Sequence, residues 1–325
     1  MSTYYVSKKK ISNYLYPILI VFFSFFVNWN YSKYGVFPID TFLHYDSAYR
    51  ILNGEYPIRD FWIVSGIFVD FLQALFFKLF NINWYAYIIH SSIFNVIISF
   101  FTFHILIKKK LKKEYAFFYS ISFALLAYPV SGTPFVDLHA TFFSVLAIYF
   151  TFLAIEKPTI NLNWFLIVLF YFFSFLSKQV PAAYFIVLNF IIILPYLIVS
   201  KKFKPLIIIF LSLSFFLALT FFLLSILNIN FKDFYIQYFD YPRDIGSERL
   251  NIFNISLKSI ISNYKFILIP IFFLLVIKLK KLFTGKINFY SKEFTSFLIV
   301  LVLTISPGAK TRFFEFVPKP PSRTA

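Results

Sequence analysis

The chain has 325 residues, of which 60% are hydrophobic, 24% aromatic and only 14% charged, and its mean hydropathy is +0.76. A soluble domain is nearer half apolar and a quarter charged, so this composition excludes that class and predicts an all-α polytopic membrane protein. The net charge of +17 does not predict nucleic-acid binding, because the lysines form short clusters between apolar runs. The chain contains no cysteine, which excludes disulfides and thiolate metal sites.

Apolar runs approach the ~20 residues that cross a bilayer throughout the chain. Lys8–Lys10 precede the first run and no small-residue cleavage site follows it, so we expect an uncleaved span rather than a signal peptide. The runs predict a helical bundle of about nine transmembrane helices within residues 1–306, followed by a polar tail, 307–325, that we expect to be poorly ordered. The predicted spans are about Leu15–Trp29, Trp84–Ile107, Tyr115–Val130, Leu138–Ile155, Trp164–Leu176, Pro181–Val199, Pro205–Leu227, Tyr264–Ile277 and Phe294–Ile305.

The apolar segment Ile63–Phe80 differs from these spans in its polar residues. It contains Asp70, Gln73 and Lys78, which are costly in contact with lipid. We therefore expect a helix that lies along the membrane surface or inside the protein and does not cross.

Basic residues are distributed unevenly between alternate loops. If the N-terminus is cytoplasmic, the clusters Lys8–Lys10, Lys108–Lys113 and Lys278–Lys281 all lie inside, as the positive-inside rule requires. The first loop (30–83) and the second long loop (228–263), which hold most carboxylates, then lie outside. All four tryptophans fall at predicted span ends, where interfacial anchors occur: Trp29, Trp62, Trp84 and Trp164. We expect a multi-pass protein of the cytoplasmic (inner) membrane with its chemistry on the outer face.

The segment Pro38–Trp62 in the first loop is rich in ionisable residues. They are Asp40, His44, Asp46, Arg50, Glu55, Arg59 and Asp60. The spacing predicts a short helix with Asp46, Arg50 and Asn53 on its polar face, ending at Asn53-Gly54. Two interpretations remain open for Asp46. It could carry chemistry at the water boundary, or it could only stabilise the helix and pair with Arg50, which contributes about 0.5 kcal/mol.

Two further ionisable residues lie at predicted outer span ends. Asp137 opens the fourth span, where a carboxylate needs a partner or a cavity, although a helix N-cap would also explain it. Lys178, beside Gln179, separates two apolar runs. It could extend its amine to the interface or bind a phosphate. The pairs His44/Asp46 and Asp137/His139 could also combine into a divalent-metal site, but nothing fixes the distance between them, so no metal or other cofactor is predicted.

The order of these residues resembles the GT-C-fold membrane glycosyltransferases, including the protein mannosyltransferases and the lipid A aminoarabinose transferases. The resemblance lies in an acidic residue after the first span, then AYRILNGEYPIRDFW, ALFFKLFN, PFVDLHATFF and FLSKQ, and it covers roughly Pro38–Pro181. Asp46 matches the acidic residue of the family's first outer loop, Asp137 the aspartate that opens the fourth span, and Lys178 the lysine after the fifth. The chain departs from the family pattern at Asp46-Ser47, where an acidic pair is common, and at Val64-Ser65-Gly66, which replaces a proline-rich segment.

The resemblance implies transfer of a sugar from a polyprenyl-phosphate-linked donor to a glycan, lipid or protein acceptor at the outer face of a bacterial inner membrane. The residues expected to contribute are Asp46 and Asp137 as catalytic residues, Lys178 and Arg50 at the donor phosphate, and His44, Arg59, Asp60, His139 and Gln179 in support. Membrane lipids surround the protein in this interpretation. The alternatives are a lipid-carrier flippase or transporter, and a non-catalytic relative that binds lipid or a partner. Transporters usually show charged or broken positions in the middle of several spans, whereas most ionisable residues here lie at span ends.

Overall fold

The computed structural model of the chain describes residues 2–34, 40–63, 65–128, 132–245, 257–285 and 291–305. Within these ranges the chain forms helices and no strand, as predicted. A helix bonds its backbone polar groups within its own segment, which a bilayer requires. The helices are α1 (Ser2–Tyr31), α2 (Asp40–Leu52), α3 (Phe68–Phe80), α4 (Trp84–Lys108), α5 (Lys113–Ala127), α6 (Val136–Glu156), α7 (Asn161–Ser177), α8 (Gln179–Val199), α9 (Phe203–Ile226), α10 (Phe231–Tyr235), a π-helical turn (Ile236–Asp240), α11 (Leu257–Phe283) and α12 (Lys292–Ile305).

Five helices in the described ranges are long and apolar enough to cross a membrane. They are the Tyr14–Tyr31 part of α1, and α4, α6, α8 and α9. Helix α7 is apolar but has only 17 residues, so it extends about 26 Å. The other predicted spans fall in α5, α11 and α12, which do not combine the required length with the required hydropathy. These five helices support the prediction of a helical membrane protein. They do not confirm the predicted count of nine spans. The predicted polar tail, 307–325, lies outside the described residues.

The segment predicted as one helix over Ile63–Phe80 becomes helical only at Phe68. With 13 residues α3 extends about 20 Å, which is shorter than the ~30 Å of hydrocarbon in a bilayer. Asp70 and Gln73 are buried against neighbouring helices, whereas Lys78 is exposed. Helix α3 packs on α2, α4 and α7. It is too short to cross alone, and two of its polar residues, Asp70 and Gln73, make contacts inside the protein.

The largest hydrophobic core lies between α6, α7, α8 and α9. Trp164 belongs to this core with 0% exposure, and its Nε1 donates to the carbonyl of Pro158 at 3.0 Å. Its prediction as an interfacial anchor is wrong, because the ring packs inside the protein. Trp62, by contrast, is 51% exposed.

The two ends of the bundle carry different charges. At the end of α6, Lys109 pairs with Glu156 at 3.0 Å, and Lys292 donates to the Glu156 carbonyl at 3.2 Å. We call this the lysine-rich end. The start of α6, about 31 Å away along its 21 residues, holds Asp137 and is called the Asp137 end. Lys109, Lys292 and Glu156 thus lie at one end of α6 and Asp137 at the other, while the side of the membrane that each end faces stays a prediction.

Because the chain has no cysteine, single cysteines can report its orientation without background. Asn53→Cys in the first loop and Thr284→Cys beyond α11 both replace exposed residues. We expect an impermeant maleimide to label Asn53→Cys in intact cells, and Thr284→Cys only after permeabilisation. The reverse pattern would overturn the predicted orientation.

Candidate functional site

A break between two apolar helices sets the position of Lys178. Helix α7 ends at Ser177, and Lys178 is extended, with φ −162° and ψ 132°. Val180 is also non-helical, and the regular part of α8 resumes at Pro181, a residue suited to the first turn of a helix because it has no N–H to satisfy. The break separates the apolar helices α7 and α8 at the Asp137 end and places Lys178 there.

Lys178 forms an ion pair with Asp137. Its Nζ lies 2.6 Å from Asp137 Oδ2, and the exposed fractions of the two side chains are 31% and 11%. The N-cap interpretation of Asp137 is wrong: Phe135 flanks the helix without a side-chain cap, and Asp137 lies inside the first turn. A carboxylate in that turn also interacts favourably with the helix dipole. The structure thus joins two of the predicted site residues, 41 positions apart in sequence.

The first loop packs closely against the end of α7. A Cβ built on Gly66 would overlap the carbonyl oxygens of Leu176 and Ser177 and lie 2.5 Å from the Ser177 carbonyl carbon. These atoms are backbone and immediately precede Lys178. Only a glycine therefore allows this approach, which places the loop beside the ion pair.

We expect Gly66→Ala to destabilise the protein by about 1–3 kcal/mol, the range for an overpacked site, because backbone must move to admit a methyl group. Ser65→Ala at the adjacent position adds no atom and serves as the control. The measurement is thermal unfolding of the purified protein in detergent. Equal midpoints for the two variants would show that the first loop does not rest on α7 as described.

The second long loop covers the same junction. Gln237 accepts a hydrogen bond from the Ile63 N–H at 3.1 Å and donates to the Ile58 carbonyl at 3.2 Å. Gln179 donates to the Tyr238 carbonyl at 3.0 Å, and the Tyr238 hydroxyl donates to the Phe175 carbonyl at 2.6 Å. The predicted supporting residue Gln179 therefore joins this loop to α8. Gln237 and Tyr238 were not predicted, because no local pattern marks them; both lie in the π-helical turn, a feature frequent at functional sites.

Arg50, predicted at the donor phosphate, is engaged within the first loop. Its Nε lies 2.6 Å from Glu55 Oε2, and its guanidinium lies 4.3 Å from the centroid of the Phe61 ring. The pairing of Arg50 with Asp46, one of the two interpretations left open for Asp46, is therefore not formed. The arginine folds the end of α2 onto the following turn.

Arg59 and Asp60 fasten the first loop to the end of α9. Arg59 donates to Asp60 at 2.7 Å, to the Gly54 carbonyl at 3.2 Å and to the Leu227 carbonyl at 3.1 Å. The Arg59 hydrogen bond, together with the Tyr56 N–H, lowers the pKa of Asp60. Arg59 thus joins the first loop to the end of α9, and Asp60 holds the Arg59 side chain within the first loop.

Asp46 and His44 take different environments on α2. Asp46 is exposed, and within the described ranges no hydrogen bond or ion pair joins it to Asp137 or Lys178. His44 is buried, and its Nδ1 lies 2.7 Å from Asp70 Oδ1. Burial raises the pKa of Asp70, and the nearby His44 opposes this shift. Two of the expected site residues are therefore only two positions apart, one in water and one inside the protein.

A second group of buried polar side chains links three helices. Gln73 on α3 lies 2.8 Å from His90 Nδ1, and His90 Nε2 lies 3.2 Å from His139 Nε2. His139 was predicted in a supporting role, whereas His90 was missed. A histidine inside an apolar span is itself a signal that could have identified it.

The residues of the considered metal site are not gathered around one point. His44 bonds Asp70, His139 bonds His90, and Asp137 bonds Lys178. Among the described residues no group of three or more histidine, aspartate or glutamate side chains could hold a metal ion.

No protein-family model, curated protein or solved structure matches the chain. The interpretation of the site therefore depends on its own geometry and chemistry.

Proposed function

We propose that the chain is a GT-C-type membrane glycosyltransferase that moves a sugar from a polyprenyl-phosphate-linked donor to a glycan, lipid or protein acceptor. The proposal includes nine spans, a cytoplasmic N-terminus and a site at the outer face of the cytoplasmic membrane. One observation carries it: a half-exposed lysine, paired with an almost buried aspartate, lies at a helix break beneath both long loops. The following arguments support it.

Lys178 has the properties of a phosphate ligand. An ammonium group has three N–H donors, and the contact with Asp137 fixes its position without using all of them. As the bond between sugar and phosphate breaks, negative charge grows on the phosphate. A positioned cation in a partly water-excluded site stabilises that charge.

An exposed apolar stripe on α8 begins next to Lys178. Val180, Tyr184, Val187 and Ile191 recur at helical spacing, and each is between 43% and 61% exposed. Within a bilayer this stripe contacts hydrocarbon. A phosphate held by Lys178 could therefore keep its polyprenyl chain in the membrane along α8, which is the geometry that a lipid-linked donor needs.

Asp46 is the proposed general base. Its carboxylate takes the proton of the acceptor hydroxyl as that oxygen attacks the anomeric carbon. The bond from this carbon to the phosphate oxygen breaks, and its electron pair leaves with the polyprenyl phosphate. The exposure of Asp46 on α2 suits an acceptor that arrives from the aqueous side.

The test uses the purified chain in nanodiscs with a radiolabelled polyprenyl-phosphate hexose and a membrane extract as the source of acceptors. Label in a new product, with release of polyprenyl phosphate, supports the proposal. Donor binding without product would favour the non-catalytic lipid-binding alternative. Movement of a fluorescent polyprenyl phosphate between leaflets of proteoliposomes, without product, would favour a flippase.

A further inference from the structure

Three buried side chains connect α3 to the start of α6. Gln73, His90 and His139 each have 0% exposure. Beyond the contacts between them, His139 Nδ1 lies 3.0 Å from the carbonyl oxygen of Phe135. The group therefore runs from the first loop, through α4, to the first turn of α6.

Hydrogen-bond chemistry fixes the direction of this chain. A carbonyl oxygen only accepts, so His139 Nδ1 carries the proton, and Nε2 of a neutral His139 is an acceptor. His90 Nε2 must then donate to it at 3.2 Å, which leaves His90 Nδ1 as an acceptor. The partner of that atom is consequently the amide nitrogen of Gln73.

The amide of Gln73 is compatible with the same direction, since one of its two polar atoms faces His90 and the other has no hydrogen-bond partner among the described residues. With Oε1 facing His90, its Nε2 is buried without a hydrogen-bond partner in the described part of the chain. The oxygen and nitrogen of an amide are assigned from the hydrogen-bond network, and exchanging them lets Nε2 donate to His90. A charged pair would instead bury a cation, which is costly away from water.

Helix α3 has a second polar connection one turn earlier. Asp70 bonds His44, which lies two residues before Asp46 on α2. His139 lies two residues after Asp137 on α6. Asp46, the proposed base, and Asp137, the partner of Lys178, therefore each have a neighbouring histidine that is anchored, directly or through His90, to α3.

We infer that Gln73, His90 and His139 form a neutral, directional hydrogen-bond chain that positions the first loop over the Asp137–Lys178 pair. These are positioning residues, since none of them has to touch a substrate. The role of these residues in sugar transfer rests on the proposed function. Their protonation pattern and the anchoring of α3 are independent of that proposal.

Nitrogen-15 NMR of histidine-labelled protein in nanodiscs tests the pattern, because the chain has only four histidines. Single replacements assign the signals. We expect His90 protonated at Nε2 and His139 at Nδ1. An imidazolium at either residue, or His90 protonated at Nδ1, would overturn the inference.

Hydrogen exchange and kinetics test the positioning. His90→Phe removes the chain but retains a ring, and His104→Phe makes the same change on the exposed side of α4. We expect faster exchange in peptides covering α3 for His90→Phe alone. We also expect its kcat to fall about 10- to 100-fold with donor KM little changed, as misplaced groups do. Unchanged hydrogen exchange in α3 of the His90→Phe variant would overturn the inference. Absence of sugar transfer by the unsubstituted protein would count only against the proposed function, and the exchange result would still decide the inference.

Discussion

Lys178→Met is expected to reduce sugar transfer about 10²- to 10³-fold, the loss found when a group that stabilises developing charge is removed. The substitution also leaves Asp137, whose side chain is only 11% exposed, without its cation. Breaking a fully buried pair costs about 3–5 kcal/mol. Because Lys178 is 31% exposed and solvent screens the charge, we expect a loss of about 1–3 kcal/mol in the free energy of unfolding. A loss of activity in this variant alone would not separate chemistry from folding.

The double variant Asp137→Asn/Lys178→Met separates them. It removes both charges at nearly constant volume, so we expect most of the stability to return. Transfer should remain low, since no cation faces the phosphate. If the pair only holds α6 and α7 together, the double variant should recover activity along with stability. Unfolding in detergent and transfer in nanodiscs, measured on the same preparations, distinguish these outcomes.

The contact between Asp137 and Lys178 also changes the expected effect of Asp137→Asn. If Asp137 were only an N-cap, asparagine would replace it without effect, since both residues cap well. The structure places Asp137 inside the first turn and against Lys178, so a neutral side chain there frees the ammonium from its partner.

The apolar runs predicted the bounds of several helices to within about two residues, because the thickness of the bilayer sets the length of a spanning helix. The span predicted at Trp84–Ile107 is Trp84–Lys108, and the one at Leu138–Ile155 is Val136–Glu156. The start of α3 was predicted five residues too early, because a contact with another helix, and not the bilayer, sets where it begins. Residues 63–67 are as apolar as the helix that follows, but Gly66 packs on the carbonyls of α7, and a contact between distant segments leaves no local signal.

Within the candidate site, the sequence singled out individual residues but not the partners that they contact. One interpretation left open by the sequence paired Arg50 with Asp46 one helical turn away. The chain instead reverses at Gly54, whose φ is +86°, and the Glu55 N–H bonds the Arg50 carbonyl. This turn brings the Glu55 carboxylate to the guanidinium. Asp137 and Lys178 were each identified from their place at a span end, but their contact depends on how α6 packs on α7.

The remaining prediction concerns Asp46, the exposed aspartate of α2. If its carboxylate is the general base, Asp46→Asn should lower kcat by about 10²- to 10⁴-fold, the usual contribution of such a group. The amide has nearly the same shape but cannot take a proton from the acceptor hydroxyl. Donor binding should persist, because the phosphate is held at Lys178. Stability should change by less than about 0.5 kcal/mol, as for most surface substitutions.

Asp233→Asn provides the matched control, since Asp233 is an exposed aspartate in the second long loop that has no proposed role. Titration with polyprenyl phosphate measures binding in both variants, and transfer is assayed with the same labelled donor. Equal loss in both variants would point to a general effect of surface charge rather than to catalysis. Full activity of Asp46→Asn would remove Asp46 from the reaction. Helix α2 would then act only as a cover, held by the contact between His44 and Asp70, and the base would have to be sought elsewhere.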